Sequence, residues 1–167
     1  VLFVIDCSGS MSRLYDEGIV QDTAERALAL ARNFDDDGRV PCVAFDSRTI
    51  ICPDVSADNV QGYVKREVQK HGLGGGTSYA PAMREIARKF RGGGGIPAFC
   101  LFVTDGNCED ERESASAIRD LSSVPIFWQF VGVGGESFKF LKKLDTLTGR
   151  KVDNAGFCQS PNPAHLS

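Results

Sequence analysis

The chain has 167 residues, a length that fits one domain burying roughly two-thirds of the surface exposed by its unfolded form. Its 19 lysines and arginines against 22 aspartates and glutamates give a net charge of -3, and the basic residues are scattered, so nucleic-acid binding has no support. No apolar run approaches the ~18 residues that cross a bilayer, so we expect a soluble protein without a membrane segment.

The chain opens on five apolar residues, 1–5, which are typical of a parallel strand covered on both faces. Because this core strand starts the chain without an initiator methionine, we interpret residues 1–167 as a single domain taken from a longer chain.

Asp6, Ser8 and Ser10 directly follow this strand, so a carboxylate and two hydroxyls emerge together from its end. They supply only oxygen, which suits a hard cation such as Mg²⁺, with near-octahedral ligands at roughly 2.0 to 2.1 Å, better than it suits zinc. The same Ser-Gly-Ser spacing is also typical of a hydrogen-bonded turn. The pentapeptide alone leaves both interpretations open.

Strand and helix patterns alternate along the next part of the chain. Residues 19–34 have helical spacing and precede Gly38, whereas residues 40–45 and 49–52 predict an antiparallel hairpin at the sheet edge, where Pro41 is tolerable. Residues 57–71 and 80–90 predict two surface helices, the second capped by Ser78.

The alternation continues beyond the glycine run 92–95, which predicts a flexible connection. The later patterns predict, in turn, strand, helix, strand, helix and strand over residues 98–104, 111–121, 124–133, 137–147 and 152–157. The whole chain therefore predicts a mostly parallel, doubly wound sheet with helices on both faces, which is a Rossmann-like three-layer sandwich.

Two more oxygen-bearing side chains stand where such a sheet binds ligands. Thr77 closes a glycine-rich segment, and Asp105 follows the apolar run that ends at Thr104. Ligands of open α/β sheets bind at the carboxyl ends of the strands, where the strand order reverses. If the strands that end at Asp6 and Asp105 are neighbours, both carboxylates face one crevice.

Together, Asp6, Ser8, Ser10, Thr77 and Asp105 resemble the metal-ion-dependent adhesion site of von Willebrand factor A domains, with all five positions filled. The wider sequence resembles one branch of that family, the A domains of bacterial tellurium-resistance and stress-response proteins. This likeness extends over nearly the whole chain, and its matching segments are residues 20–38, 75–84, 127–132 and 140–157.

The resemblance implies a six-stranded sheet in the order 3-2-1-4-5-6 with one antiparallel edge strand, so strand 1 lies beside strand 4. It also implies that Ser8 and Ser10 bind the metal directly, that Thr77 binds directly or through water, and that Asp6 and Asp105 act mainly through water. We expect Mg²⁺, with Mn²⁺ and Ca²⁺ as alternatives.

Neutral hydroxyl ligands would leave most of the cation's charge available, so an open coordination position is expected to bind a glutamate or aspartate of a protein partner. We therefore expect a non-enzymatic, cytoplasmic interaction domain, monomeric within a larger tellurium-resistance or stress-response assembly. Acidic residues 16, 17 and 109–111 flank the crevice and would discourage an acidic partner, with Arg13 and Arg112 offsetting part of their charge.

A magnesium-dependent phosphoryl-transfer enzyme or hydrolase with Asp6 as nucleophile is the main alternative. The haloacid-dehalogenase pattern requires a second aspartate where this chain has Ser8, and a Walker loop requires a lysine before Thr77. Serine hydrolysis has less support, because the chain has two histidines, His71 and His165, and no Gly-x-Ser-x-Gly. A scaffold whose site holds no metal in the cell is a third interpretation.

The six cysteines are irregularly spaced, without a Cys-x-x-Cys pair, and Cys42 and Cys100 lie in apolar runs. We expect them to be reduced, buried thiols. Cys7 stands out because it lies between two proposed metal ligands.

Overall fold

A computed structural model describes residues 1–34, 37–90 and 96–160 of the chain. The predicted flexible connection at residues 92–95 and the histidine at position 165 lie outside these ranges. Within them, no helix is both long enough and apolar enough to cross a membrane.

Strands and helices alternate as the sequence predicts. The strands are β1 (Leu2–Asp6), β2 (Arg39–Phe45), β3 (Thr49–Ser56), β4 (Ala98–Thr104), β5 (Ile126–Gly132) and β6 (Ala155–Gln159). The α-helices are α1 (Ser12–Asp16), α2 (Ile19–Ala31), α3 (Tyr79–Phe90), α4 (Glu111–Asp120) and α5 (Lys139–Asp145).

The strands form one six-stranded sheet in the order β3-β2-β1-β4-β5-β6. Every pair is parallel except β2 with β3. In the centre, β1 lies between β2 and β4, with Ile5 opposite Ala44 on one side and Val103 on the other. The predicted architecture, including the antiparallel edge strand and the neighbouring positions of β1 and β4, is confirmed.

Alternate residues of β1 build two cores, one on each face of the sheet. Leu2 and Val4 belong to the core beneath α3, α4 and α5, whereas Phe3 and Ile5 belong to the core beneath α1 and α2. All four side chains are buried. Burial of a side chain of this size contributes about 1.5 to 3 kcal/mol, so β1 is held firmly from both sides and gives the loop after it a fixed starting point.

The expected position of Pro41 at the sheet edge is wrong, because β2 is an internal strand and β3 forms the edge. The register between the two strands shifts between Val40 and Cys42, which makes a bulge around Pro41. Pro53 lies in the facing stretch of β3. Neither proline has an amide hydrogen to donate, and the interrupted ladder at a bulge accommodates both.

The single helix predicted over residues 57–71 is replaced by a turn, a π-helical turn at Val64–Val68 and a short 3₁₀ turn at Gln69–His71. The Asn59 side chain accepts a hydrogen bond from the Ser56 amide and donates one to the Asp54 carbonyl, both at 2.8 Å. Such local bonds compete with a helix. The apolar face was predicted correctly, since Val60, Val64 and Val68 are buried.

Asp110, rather than the expected Ser78, caps the start of α3. Its carboxylate accepts hydrogen bonds from the amides of Tyr79 at 2.9 Å and Ala80 at 3.0 Å. It also accepts one from the Ser114 hydroxyl in α4 at 2.9 Å. One carboxylate thus connects the first turns of two helices and fixes the loop between β4 and α4.

We expect Asp110→Ala to lower the free energy of unfolding by about 1 to 3 kcal/mol, because it leaves two helix-start amides without their acceptor. Urea denaturation measures the change. Asp120→Ala is the matched control, since Asp120 forms an ion pair with Arg84 in which both side chains are about half exposed. Such pairs contribute less than about 1 kcal/mol, so equal losses in the two variants would contradict the capping role.

Candidate metal centre

The loop after β1 is fixed by hydrogen bonds at its first residues. The Ser8 amide donates to one carboxylate oxygen of Asp6 at 2.8 Å, the Tyr15 hydroxyl donates to the Asp6 carbonyl at 2.7 Å, and the Cys7 amide donates to the Phe45 carbonyl at 2.7 Å. The chain then turns through a short 3₁₀ segment, Gly9–Met11. As a result, the side-chain oxygens of Ser8 and Ser10 lie 3.3 Å apart.

The second carboxylate oxygen of Asp6 accepts a hydrogen bond from the Thr104 hydroxyl at 2.6 Å. Thr104 lies at the end of β4 and is also 3.0 Å from the Tyr79 hydroxyl at the start of α3. With its own proton directed to Asp6, Thr104 accepts the proton of Tyr79. Asp6 therefore joins β1, β4 and α3 through one buried chain of hydrogen bonds.

Burial raises the pKa of Asp6 from 3.8 to about 6, against the lowering effect of its hydrogen bonds from Ser8 and Thr104. The negative charge of Asp105 adds to the increase. The folded protein thus holds a carboxylate in an environment that disfavours its charged form, a common property of functional sites.

Thr77 and Asp105 come from the two loops opposite Ser8 and are both buried. The Thr77 carbonyl accepts a hydrogen bond from the Glu109 amide at 2.9 Å, which joins the loop before α3 to the loop after β4. The Asp105 carboxylate accepts a bond from the Asn107 amide at 3.1 Å. Gly106 has φ +92°, and a Cβ there would lie 2.9 Å from the Phe138 ring, so the turn after Asp105 requires glycine.

The structure brings Ser8, Ser10 and Thr77 to one cavity of about 310 Å³. Asp105 and Ser10 line a neighbouring cavity of similar volume, so Ser10 stands at the boundary between the two. Asp6 lines neither of these cavities and lies behind Ser8. The structure thus places Thr77 and Asp105 at different cavities that share Ser10, and it places Asp6 behind both, bonded to the Ser8 amide.

The donor set fits a hard cation with water ligands. Adjacent ligands of an octahedral ion with bonds of roughly 2.0 to 2.1 Å lie about 2.9 Å apart, so small side-chain shifts would let both serine oxygens bind one Mg²⁺. Among the residues of the three described ranges, no three histidine, cysteine, aspartate or glutamate side chains form a group that could hold a metal. Any metal here would depend mainly on hydroxyls and water.

Asp46 is a buried carboxylate that was not predicted from the sequence. It comes directly after β2, whereas Asp6 is the last residue of β1, so its position at a strand end was the available signal. Burial acts to raise its pKa, but hydrogen bonds from the Arg48 side chain and amide, with the Arg48 charge, lower the pKa overall. The closest contact is 2.6 Å, from the Arg48 amide. Asp46 is thus bound to its own arginine and is not free to bind a metal.

The acidic residues expected to flank the site differ in their partners. Glu17 forms an ion pair with Arg13 at 2.6 Å, and Asp110 serves as the helix cap described above. Glu109 lines the same cavity as Ser8, Ser10 and Thr77. Of the acidic residues expected around the site, Glu109 is the one that lines the cavity of the three hydroxyls.

All six cysteines are free thiols. The Cys7 thiol donates to the Phe45 carbonyl at 3.2 Å, and burial raises its pKa to about 12, so it is a packing residue rather than a metal ligand. Cys108 and Cys158 depart from the expected burial, since Cys108 is half-buried and Cys158 is exposed.

Comparisons with known proteins agree with this architecture. Residues 1–167 match the family model vWA-TerF-like, described as the vWA found in the TerF C terminus. A relative, Uncharacterized protein YcbR of Bacillus subtilis strain 168, is 40% identical over 161 residues, covering 92% of this chain. The chain spans 65% of that relative's length.

Two solved structures share the fold of this chain. The SpRpn10 VWA domain superposes with a TM-score of 0.67 and 12% identity, over 97% of this chain and 88% of that domain. Proximal thread matrix protein 1 from the mussel byssus, solved with a zinc-occupied MIDAS motif, has a TM-score of 0.61 and 19% identity, over 95% of this chain and 40% of its own.

We expect metal-free Asp6→Asn to be more stable than the metal-free wild type at pH 7.5, by on the order of 1 to 3 kcal/mol. Because the pKa of Asp6 is raised on folding, its ionisation lowers the free energy of unfolding as pH rises from about 4 through about 6. The advantage of the variant should therefore shrink at pH 4. Urea denaturation in a chelator at the two pH values tests this, and an equal loss of stability at both would contradict it.

Proposed function

Because this chain belongs to the vWA domains of the TerF-like family, we propose that it is a metal-dependent protein-interaction domain whose site is built from Asp6, Ser8, Ser10, Thr77 and Asp105. The observation that carries the proposal is the 3.3 Å separation of the Ser8 and Ser10 oxygens at a cavity that Thr77 also lines. Ser8 and Ser10 would bind the cation directly, and Thr77 directly or through water.

Asp6 and Asp105 would act on the cation through water, without binding it directly. The hydrogen bond from the Ser8 amide holds Asp6 close to the serine ligands. A dipositive ion nearby would favour the charged form of Asp6, which burial alone disfavours. In this arrangement the two carboxylates orient water on the cation and balance part of its charge, as outer partners of metal sites do.

A glutamate or aspartate of a partner protein is the expected ligand for the remaining position. Hydroxyls are neutral, so they leave the cation with a strong attraction for an anion in a partly dry cavity. The metal contact would select for an acid, while the surrounding surface would supply most of the affinity.

Mg²⁺ is the proposed ion, with Mn²⁺ and Ca²⁺ as alternatives, because the donors are all oxygen. The zinc-occupied MIDAS motif of the mussel byssus protein supports binding of a divalent metal by this type of site. For the family context, we propose a cytoplasmic role in a tellurium-resistance or stress-response assembly, in which this domain acts as a monomer.

The geometry gives little support to the alternative of an enzyme that uses Asp6 as nucleophile. Asp6 is fully buried, and both of its carboxylate oxygens already accept hydrogen bonds, one from the Ser8 amide and one from Thr104. A nucleophile must approach the substrate phosphorus in line, and Asp6 does not line the cavity where a substrate would enter.

Isothermal titration calorimetry with Mg²⁺, Mn²⁺ and Ca²⁺ tests the proposal. We expect wild type to bind at least one of these ions, and Ser8→Ala/Ser10→Ala to bind it about 100-fold more weakly, because two direct ligands are lost. Ser78→Ala is the control, since this hydroxyl follows Thr77 but lines a different cavity, and it should bind as wild type does. Wild type without heat for any of the three cations would contradict the metal site.

Incubation with p-nitrophenyl phosphate and Mg²⁺ separates an interaction domain from an enzyme. We expect no release of phosphate above the rate without protein, because Asp6 is enclosed. The enzyme alternative would be supported instead by turnover in wild type that disappears in Asp6→Asn.

A further inference from the structure

Glu109 places a carboxylate of this chain at the proposed metal site. Its side chain lines the cavity of Ser8, Ser10 and Thr77, and its carboxylate lies over the backbone of Gly76. A Cβ built on Gly76 would be 2.3 Å from a carboxylate oxygen of Glu109, so a larger residue at position 76 would make the Glu109 side chain shift. The acid is therefore packed against the residue that precedes a proposed ligand.

The backbone holds Glu109 in place from two directions. Its amide donates to the Thr77 carbonyl at 2.9 Å, and the next residue, Asp110, caps α3 through the amides of Tyr79 and Ala80. These bonds fix the backbone of Glu109 beside Thr77. The exposed Glu109 side chain therefore starts from a fixed position next to the site.

No basic side chain among the described residues forms an ion pair with Glu109. The two arginines that follow β1 and β2 have other partners, since Arg13 pairs with Glu17 and Arg48 with Asp46. Glu109 itself is exposed. An exposed carboxylate without a cationic neighbour, next to a cavity lined by hydroxyls, is suited to bind a cation in that cavity.

We propose that Glu109 is an internal competitor for the metal: its carboxylate occupies the coordination position that a partner's acid takes, and the partner binds by displacing it. This inference rests on the proposed function, because it needs a cation held by Ser8 and Ser10. A tethered acid has an effective concentration in the millimolar range, so a small free carboxylate must exceed that concentration to displace it. A protein partner gains additional contacts around the site and can replace it.

Water-proton relaxation with Mn²⁺ tests the proposal, because the relaxation enhancement reports how many water molecules remain on the bound ion. Glu109→Gln should bind Mn²⁺ about 10-fold more weakly than wild type and should show a larger enhancement per bound ion, as one water replaces the carboxylate. Glu111→Gln is the matched control. It removes the same charge two residues away, from an exposed side chain, and should change the affinity by about twofold or less.

Acetate provides a second measurement on the same samples. In Glu109→Gln, acetate should lower the relaxation enhancement at lower concentrations than in Mn²⁺-loaded wild type, where acetate must first displace the tethered Glu109 carboxylate. The same acetate dependence in wild type and variant would overturn the proposal, and Glu109→Ala repeats the comparison if Glu109→Gln fails to fold.

The possible failures are distinguishable. If wild type binds no Mn²⁺, the proposed function and this inference both fail. If wild type binds Mn²⁺ through Ser8 and Ser10, but Glu109→Gln has the same water count and acetate response as wild type, the interaction domain stands and the role of Glu109 is overturned.

Discussion

The hydrogen bond between Thr104 and the buried carboxylate of Asp6 determines how the rest of the site is arranged. It can form only because β1 and β4 are parallel neighbours, which places the ends of both strands at the same level. The other carboxylate oxygen of Asp6 accepts a hydrogen bond from the Ser8 amide, and the Thr104 hydroxyl accepts one from the Tyr79 hydroxyl. Strand pairing, loop conformation and the start of α3 are thereby coupled through one carboxylate.

This coupling has a cost, since a charged carboxylate without a cation is unfavourable in the interior. Asp46, the buried acid at the end of β2, has a different environment. Asp46 also has little exposed surface, but Arg48 lies within hydrogen-bonding distance and compensates its charge. Among the described residues, no basic side chain forms an ion pair with Asp6. The charge of the Asp46 carboxylate is therefore compensated within the protein, whereas that of Asp6 is available to a cation from solution. That contrast supports Asp6, and not Asp46, as the acid behind a metal.

Much of the fold could be predicted from the sequence, because continuous and periodic apolar patterns report directly on burial. The apolar run before Asp6 and the helix that begins at Tyr79 are examples. Asp6 and Asp105 could be found because they stand where such runs end, whereas the complete set of five proposed site residues depended on the resemblance to a known family. The cap from Asp110, the turn made by Asn59 and the internal position of Pro41 were missed. Each depends on a partner distant in the chain or on a side chain that competes with the backbone, and local periodicity contains neither.

The facing prolines of the β2–β3 bulge also limit how other molecules can approach. Strand β3 is the outer strand on its side of the sheet, and Pro53 removes a donor from its backbone, while the bulge distorts the ladder beside it. An incoming strand therefore finds no regular row of amides along which to extend the sheet. Pairing of another strand with β3 is therefore disfavoured.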